Sequence, residues 1–278
     1  MAIKFWFHPT SGNFASELRL KGDAVKKADS LGFDGFVLPD HYMTPLGNET
    51  LDSWVTLAHF AAMTDRIRLG TLVTPIPLRP PQLLAKMVST VDVLSGGRSF
   101  LGVGAGWSKE EFGAFSQWDE SRVRVEKVDE GVALIKKLWT GLAVDFEGKH
   151  YRVKQAILLP KPVQKPHPPL LFGGKGPRML KLAGKQADIC FIAQEKPEDF
   201  LAAKAVVMEA SKAAGRFGVP TFACFIGLQA TDEKGDYVRR IEQAADLGVS
   251  YIATGVERER DSIEFLVYLA RDVMPSFA

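Results

Sequence analysis

Short apolar runs and amphipathic blocks alternate from one end of this chain to the other. Ile3–Phe7 (IKFWF) is a β-rich run, and the block from about Ser16 to Leu31 places Leu18, Val25, Ala28 and Leu31 near helical spacing before Gly32 stops it. The same reading predicts a second strand at Asp34–Leu38, a helix at Leu51–Met63 and a third strand at Ile67–Val73. Pro80 and Pro81 then open a third helix, where their missing N–H groups cost nothing. Leu83, Leu84, Met87, Val88 and Val91 form its apolar face. Arg98–Gly104 is the fourth strand. Ser121–Trp139 is the fourth helix, with Val128, Val132, Ile135 and Leu138 on one side.

The rhythm breaks at residues 140 to 169, which read as a hairpin turning at Glu147-Gly148 and a proline-rich crossing, LPKPVQKPHPP. It resumes with a strand at Leu170–Phe172, a helix from Pro177 to Lys185 and a sixth strand at Asp188–Ala193. A helix from Pro197 to Ala214, a strand at Thr221–Leu228, a helix at Glu233–Leu247, a strand at Ser250–Ala253 and a helix near 259–273 complete the pattern. Eight strand–helix units argue for parallel pairing with right-handed crossovers. The expected fold is therefore α/β, a single (β/α)8 TIM barrel over residues 1–278 with a small insertion between the fourth helix and the fifth strand. An open doubly wound sheet is the runner-up. No GxGxxG opens the first unit, which counts against it.

Composition narrows the partners. Of 278 residues, 35 are basic and 33 acidic, giving a formal net charge of +2 with no basic block that would mark a nucleic-acid or membrane surface. Cys190 and Cys224 each sit inside an apolar stretch, which reads as buried reduced thiols and a reducing compartment. With no signal-like N-terminus and no apolar span, a cytoplasmic protein is expected.

In a barrel, chemistry gathers at the C-terminal strand ends. His8 and Pro9 follow the first strand, Asp40 and His41 the second, and Thr74 and Pro75 the third. Gly104-Ala105-Gly106-Trp107 follow the fourth, Gly173-Gly174-Lys175-Gly176 the fifth, Gln194 the sixth, and Thr254-Gly255 the last. The five histidines show no metal-binding spacing, no GxSxG is present, and neither cysteine has a nucleophile's setting. In FGGKGPRMLKLAG, residues 172 to 184, a strand runs through glycines into a helix opened by Pro177. Such a turn either offers free N–H groups to an anion or is a tight connection that binds nothing. GVGAGW, residues 102 to 107, leaves room either for a planar ring or for close packing. Asp40 either caps the next segment or serves His41, and Glu110 and Glu111 supply an acid or a solvated helix start. Arg98 and Asp92 read as a structural pair.

Three stretches together, DGFVLPDHY (34–42), RIRLGTLVTPIPLRPPQLLAKMVSTVDVLSGGRSFLGVGAGWSKEEFGAFS (66–116) and GGKGPRMLKLAGKQAD (173–188), resemble the bacterial-luciferase-like superfamily of flavin and deazaflavin oxidoreductases. Within it the chain looks most like the branch that uses coenzyme F420. The resemblance implies a deazaflavin in the barrel mouth, with its phosphate at Gly173, Gly174, Lys175, Gly176 and Pro177. It implies His41 at the reactive face, Asp40 at the ring edge or tuning His41, and Thr71, Leu72, Gly106 and Trp107 around the ring. It also implies a non-prolyl cis peptide at Thr71–Leu72 or one residue later. The GGxGP turn favours F420 over FMN.

Trp107 stands where F420-dependent glucose-6-phosphate dehydrogenases carry a carboxylate, and HPTSGNF lacks their acid after strand 1, which argues against a sugar phosphate. The reading is a hydride-transferring oxidoreductase acting on a small organic substrate, with an FMN-dependent monooxygenase as its rival. A non-catalytic flavin or deazaflavin carrier is a second rival. A phosphate-binding lyase or aldolase lacks any rim lysine but Lys175. A homodimer through the helices after strands 2 and 3 is implied by resemblance alone.

Overall fold

The computed structural model describes residues 2–9, 18–43, 49–193, 196–218, 220–227, 234–255 and 262–278. Among them the chain runs β1 (Lys4–Phe7), α1 (Leu18–Leu31), β2 (Gly35–Leu38), α2 (Ser53–Ala61), β3 (Arg68–Thr71), β4 (Thr74–Pro75), α3 (Pro81–Leu94) and β5 (Ser99–Gly104). It continues through α4 (Lys109–Phe115), α5 (Ser121–Thr140), the hairpin β6 (Val144–Glu147) and β7 (Arg152–Ala156), β8 (Leu170–Gly173), α6 (Pro177–Gln186) and β9 (Ile189–Phe191). Then come α7 (Pro197–Ala213), β10 (Thr221–Phe225), α8 (Lys234–Asp246), β11 (Tyr251–Thr254) and α9 (Ser262–Tyr268).

The parallel strands lie in the order β3-β2-β1-β11-β10-β9-β8-β5, and β5 pairs back to β3 through Leu69 opposite Ser99 and Gly70 opposite Phe100. That last pairing closes an eight-stranded barrel, so the expected (β/α)8 fold is the one observed. Strands covered on both faces are continuous apolar runs, as parallel sheets require. Every residue of β2, β5 and β8 is buried.

Two layers form the core. Between strands and helices lie residues such as Phe36, Leu69, Leu101, Val132 and Ile252. Inside the barrel stand Trp6, Val37, Phe100, Leu171, Ile189 and their neighbours. Trp6 stacks on Phe100 with ring centroids 5.3 Å apart and meets Tyr251 at 4.7 Å, so large rings fill the end where the strands begin. Gly35 and Gly70 make that possible. A Cβ at Gly35 would lie 2.5 Å from the Trp6 ring, and one at Gly70 2.5 Å from the Phe100 ring. Towards the C-terminal ends the inward positions shrink to Gly102, Gly104, Gly173 and Ala253, and the barrel opens.

The structure departs from the sequence reading in places. The third strand stops at Thr71 instead of Val73, because the Leu72–Val73 peptide is cis and the chain re-pairs with β5 only at Thr74 and Pro75. The sixth and seventh strands are shorter than the apolar runs that announced them. Leu83, placed on the apolar face of α3, is half exposed; the buried stripe is Leu84, Ala85, Val88 and Val91. Arg98 and Asp92 do not bond each other. Arg98 donates to the carbonyls of Ala61, Thr64, Ile67 and Ser95, whereas Asp92 accepts from Ser99 and Gln164. Both are structural, with separate tasks. The hairpin within 140–169 is tied to α5 by Glu130, whose carboxylate accepts the backbone N–H groups of Lys149, His150 and Tyr151. No helix among the described residues is long and apolar enough to cross a membrane.

Candidate active site

A cavity of about 620 Å³ opens at the C-terminal strand ends. That volume falls within the range of small-molecule and cofactor sites. One wall carries Asp40, His41, Trp107 and Glu111, a second Leu72, Val73 and Pro75, and a third the turn from Gly173 to Met179; Ser121 and Arg124 of α5 complete it. Among the described residues no group of histidines, cysteines and carboxylates could hold a metal ion.

His41 stands three residues beyond the end of β2 and is largely buried. Its Nδ1 lies 2.9 Å from Oε2 of Glu111, a carboxylate only 1% exposed. The other oxygen of Glu111 accepts the backbone N–H groups of Tyr42 at 2.6 Å and Met43 at 3.3 Å. A carboxylate oxygen accepts, so this contact is a hydrogen bond when Nδ1 carries the ring proton, with Nε2 then left for other partners. The edge of the His41 ring meets Trp107, centroids 5.6 Å apart, and Trp107 is 66% exposed. Ser108 caps α4 by accepting the N–H of Glu111 at 3.2 Å. The Ser108-x-x-Glu111 spacing is that of a capping box, in which the glutamate would fold back on its own helix start. Here it reaches 70 residues back to His41 instead. Glu110, beside it, is exposed.

Asp40 neither caps a helix nor bonds His41. It is 1% exposed and accepts two bonds from Arg79, Nε to Oδ2 at 2.8 Å and Nη2 to Oδ1 at 2.6 Å. Thr74 donates its hydroxyl to Asp40 at 2.7 Å while accepting Trp54 Nε1 at 3.1 Å. Arg79 also reaches Asp52 at 2.7 Å, and Asp52 is the residue that caps α2, through the Val55 N–H. Burial pulls the Arg79 guanidinium down. Its bonds to Asp40 and Asp52 outweigh that and hold it above its ordinary value. The sequence marks the start of α3 by Pro80 and Pro81, but nothing in it singles out Arg79 for this role.

The other expected residues divide. Leu72, Gly106, Trp107, Gly173, Gly174, Lys175, Gly176 and Pro177 all line the cavity. Thr71 does not. It is fully buried and donates to the carbonyl of Gly102 at 3.0 Å, one layer behind the wall. Gly102 and Gly104 serve close packing: a Cβ on Gly102 would lie 1.8 Å from the Thr71 carbonyl, and one on Gly104 2.7 Å from Val73. Those glycines admit the Leu72–Val73 segment, and the segment in turn forms the wall. At the glycine turn, Gly176 is the N-cap of α6 with Pro177 as the first helical residue, and no side-chain capping bond is made there among the described residues.

Arg124, unnoticed in the sequence, is nearly buried at the cavity. It donates to the carbonyls of Ala105 and Asp119 and stacks over Trp118 at 3.7 Å. His8, at the end of β1, is lowered to about 4 by burial, which outweighs the bonds its ring donates to the Pro9 and His8 backbones, and it stays neutral. Gln194 and most of the 8–15, 42–50 and 255–262 rim segments lie outside the described residues.

The profile of the luciferase-like monooxygenases matches residues 4–271. The chain belongs to this family. Solved structures share the fold over essentially the whole chain. A monooxygenase, RslO1 from Streptomyces bottropensis, is 23% identical with a TM-score of 0.84 and coverage of 99% of this chain and 100% of that one. An F420-dependent secondary alcohol dehydrogenase bound to an F420-acetone adduct is 18% identical, with a TM-score of 0.88 and full coverage of both chains. The FMN-bound oxygenating constituent of 3,6-diketocamphane monooxygenase from a Pseudomonas putida plasmid is 15% identical, with a TM-score of 0.82 and coverage of 100% and 99%. The luciferase-like family thus accounts for the barrel.

Proposed function

We propose that this luciferase-like protein is an oxidoreductase that passes hydride between coenzyme F420 and a small organic substrate in the barrel mouth. The observation that carries the reading is one cavity holding both the His41–Glu111 pair and the open glycine turn into α6. The residues fit such a cofactor. The volume accommodates a tricyclic ring, and Gly176 has no atom within 4 Å of where a Cβ would stand, so an anion can approach the backbone closely. Lys175 and Arg178 line the same stretch and favour a phosphate.

Gly173, Gly174, Lys175, Gly176 and Pro177 would hold the phosphate, and Leu72, Val73, Gly106 and Trp107 would flank the ring. Bound there, F420 supplies a carbon centre that accepts or gives a hydride. The protein supplies position and exclusion of water. His41 Nε2 gives or takes the proton at the substrate oxygen, and the apolar wall of Leu72, Val73 and Pro75 keeps that exchange out of bulk solvent.

The dehydrogenase with the F420-acetone adduct and the GGxGP turn both support F420. Separate fluorescence titrations with F420 and with FMN test the choice. Tight F420 binding and F420 reduction in a screen of alcohols and other small substrates are expected. Tight FMN binding with no F420 binding would overturn the reading in favour of a flavin monooxygenase.

A further inference from the structure

We infer that Glu111 is the positioning residue of His41: it fixes the imidazole as the Nδ1–H tautomer and makes Nε2 the atom that exchanges a proton in the cavity. The inference deepens the proposed function and rests on it for the identity of the proton's partner, a substrate oxygen. It does not rest on it for the geometry.

Glu111 is poorly suited to act as an acid itself. Its side chain is 1% exposed and both oxygens are engaged, Oε2 by His41 Nδ1 and Oε1 by the N–H groups of Tyr42 and Met43. With both oxygens so engaged, the carboxylate has no free oxygen to present to a substrate. An acceptor at Nδ1 keeps a proton there whether the ring is neutral or cationic. The proton that comes and goes is then at Nε2: what leaves a substrate oxygen arrives on Nε2, and the reverse step returns it, with Glu111 unchanged throughout.

The segment that carries His41 is held on both sides of it. Asp40 before it is locked to Arg79 and Thr74. After it, the Tyr42 ring sits under the Arg79 guanidinium at 4.8 Å and edge-on to Phe115 at 5.5 Å, with its backbone on Glu111. With the backbone fixed, ring rotation is the remaining freedom of His41, and the bond to Glu111 removes it. Proton transfer needs a heavy-atom approach of about 3 Å, so a fixed ring is the difference between a poised base and a wandering one.

The test uses the full-length protein without cofactor. ¹⁵N-resolved NMR of the histidine ring nitrogens reads the tautomer directly, with His41→Gln to assign the signal. In the wild type, Nδ1 is expected to be the protonated nitrogen at alkaline pH; a dominant Nε2–H form would overturn the inference with no variant needed. Glu111→Gln is expected to give a mixture of tautomers. With F420 and an accepted substrate it should lower kcat about 10- to 100-fold, as loss of a ring-orienting partner does, while F420 affinity stays within about threefold. Ser108→Ala loosens the start of α4 without removing the carboxylate, and should keep the Nδ1–H form. If the two variants lose kcat equally and share one tautomer, Glu111 serves only the loop and the inference fails. Should the wild type not bind F420, the cofactor reading fails, while the tautomer measurement still decides the role of Glu111.

Discussion

Arg79 and Asp40 meet through a two-pronged bond in which both side chains are buried, 5% and 1% exposed, 39 residues apart in the chain. This pair anchors the loop bearing His41 to the start of α3, and through Asp52 to α2. Removing one partner of a buried pair leaves the other charge uncompensated, which costs about 3–5 kcal/mol. Arg79→Leu is therefore expected to lower the unfolding free energy by about that amount, read from urea denaturation. A loss below about 1 kcal/mol would show that Asp40 finds another partner.

His8 responds to acid. Its ordinary value of 6.5 is lowered to about 4 by burial, so between those values the unfolded chain binds a proton that the folded one refuses. The neutral ring contributes fully above pH 6.5, and its contribution falls as the pH drops towards 4, by about 3 kcal/mol at most. Stability measured across that window should fall less steeply for His8→Gln. Parallel curves for the two proteins would sink the assignment.

Gly184, on α6, admits α7. A Cβ there would stand 2.3 Å from the Val207 carbonyl and 2.7 Å from the Ala210 Cβ, neither of which can swing aside. Gly184→Ala should cost about 1–3 kcal/mol or more. Gly113→Ala in α4, where nothing lies within 4 Å, should instead stabilise by up to about 1 kcal/mol. Paired thermal melts moving in the same direction would contradict the packing described.

Trp107 offers an exposed indole at the rim. Its loss in Trp107→Ala should leave unfolding within about 0.5 kcal/mol of the wild type. Under the proposed function it should weaken F420 binding by roughly fivefold, the value of about 1 kcal/mol for one aromatic contact. Unchanged affinity would move the indole from the cofactor's surroundings to the substrate's.

The barrel was legible because strands buried on both faces leave unbroken apolar runs, and because Gly32, Pro80-Pro81 and Gly173–Pro177 punctuate them. Strand ends were less legible. Val73 is as apolar as Leu69, and only the cis bond before it shows that the ladder has already stopped. The site divided the same way. His41 and the glycine turn stand at strand ends, where position alone singles them out. Arg79 and Glu111 lie on surfaces that look solvated in one dimension, and they become buried through partners 39 and 70 residues away. A capping pattern such as Ser108-x-x-Glu111 satisfies its local explanation so fully that nothing in it hints at a distant histidine. Asp40 showed the converse, since its neighbour in sequence was not its partner in space.

The aromatic floor of Trp6, Phe100 and Tyr251 makes the barrel a blind-ended vessel. Whatever passes between the strand ends to reach the bottom must come back the same way.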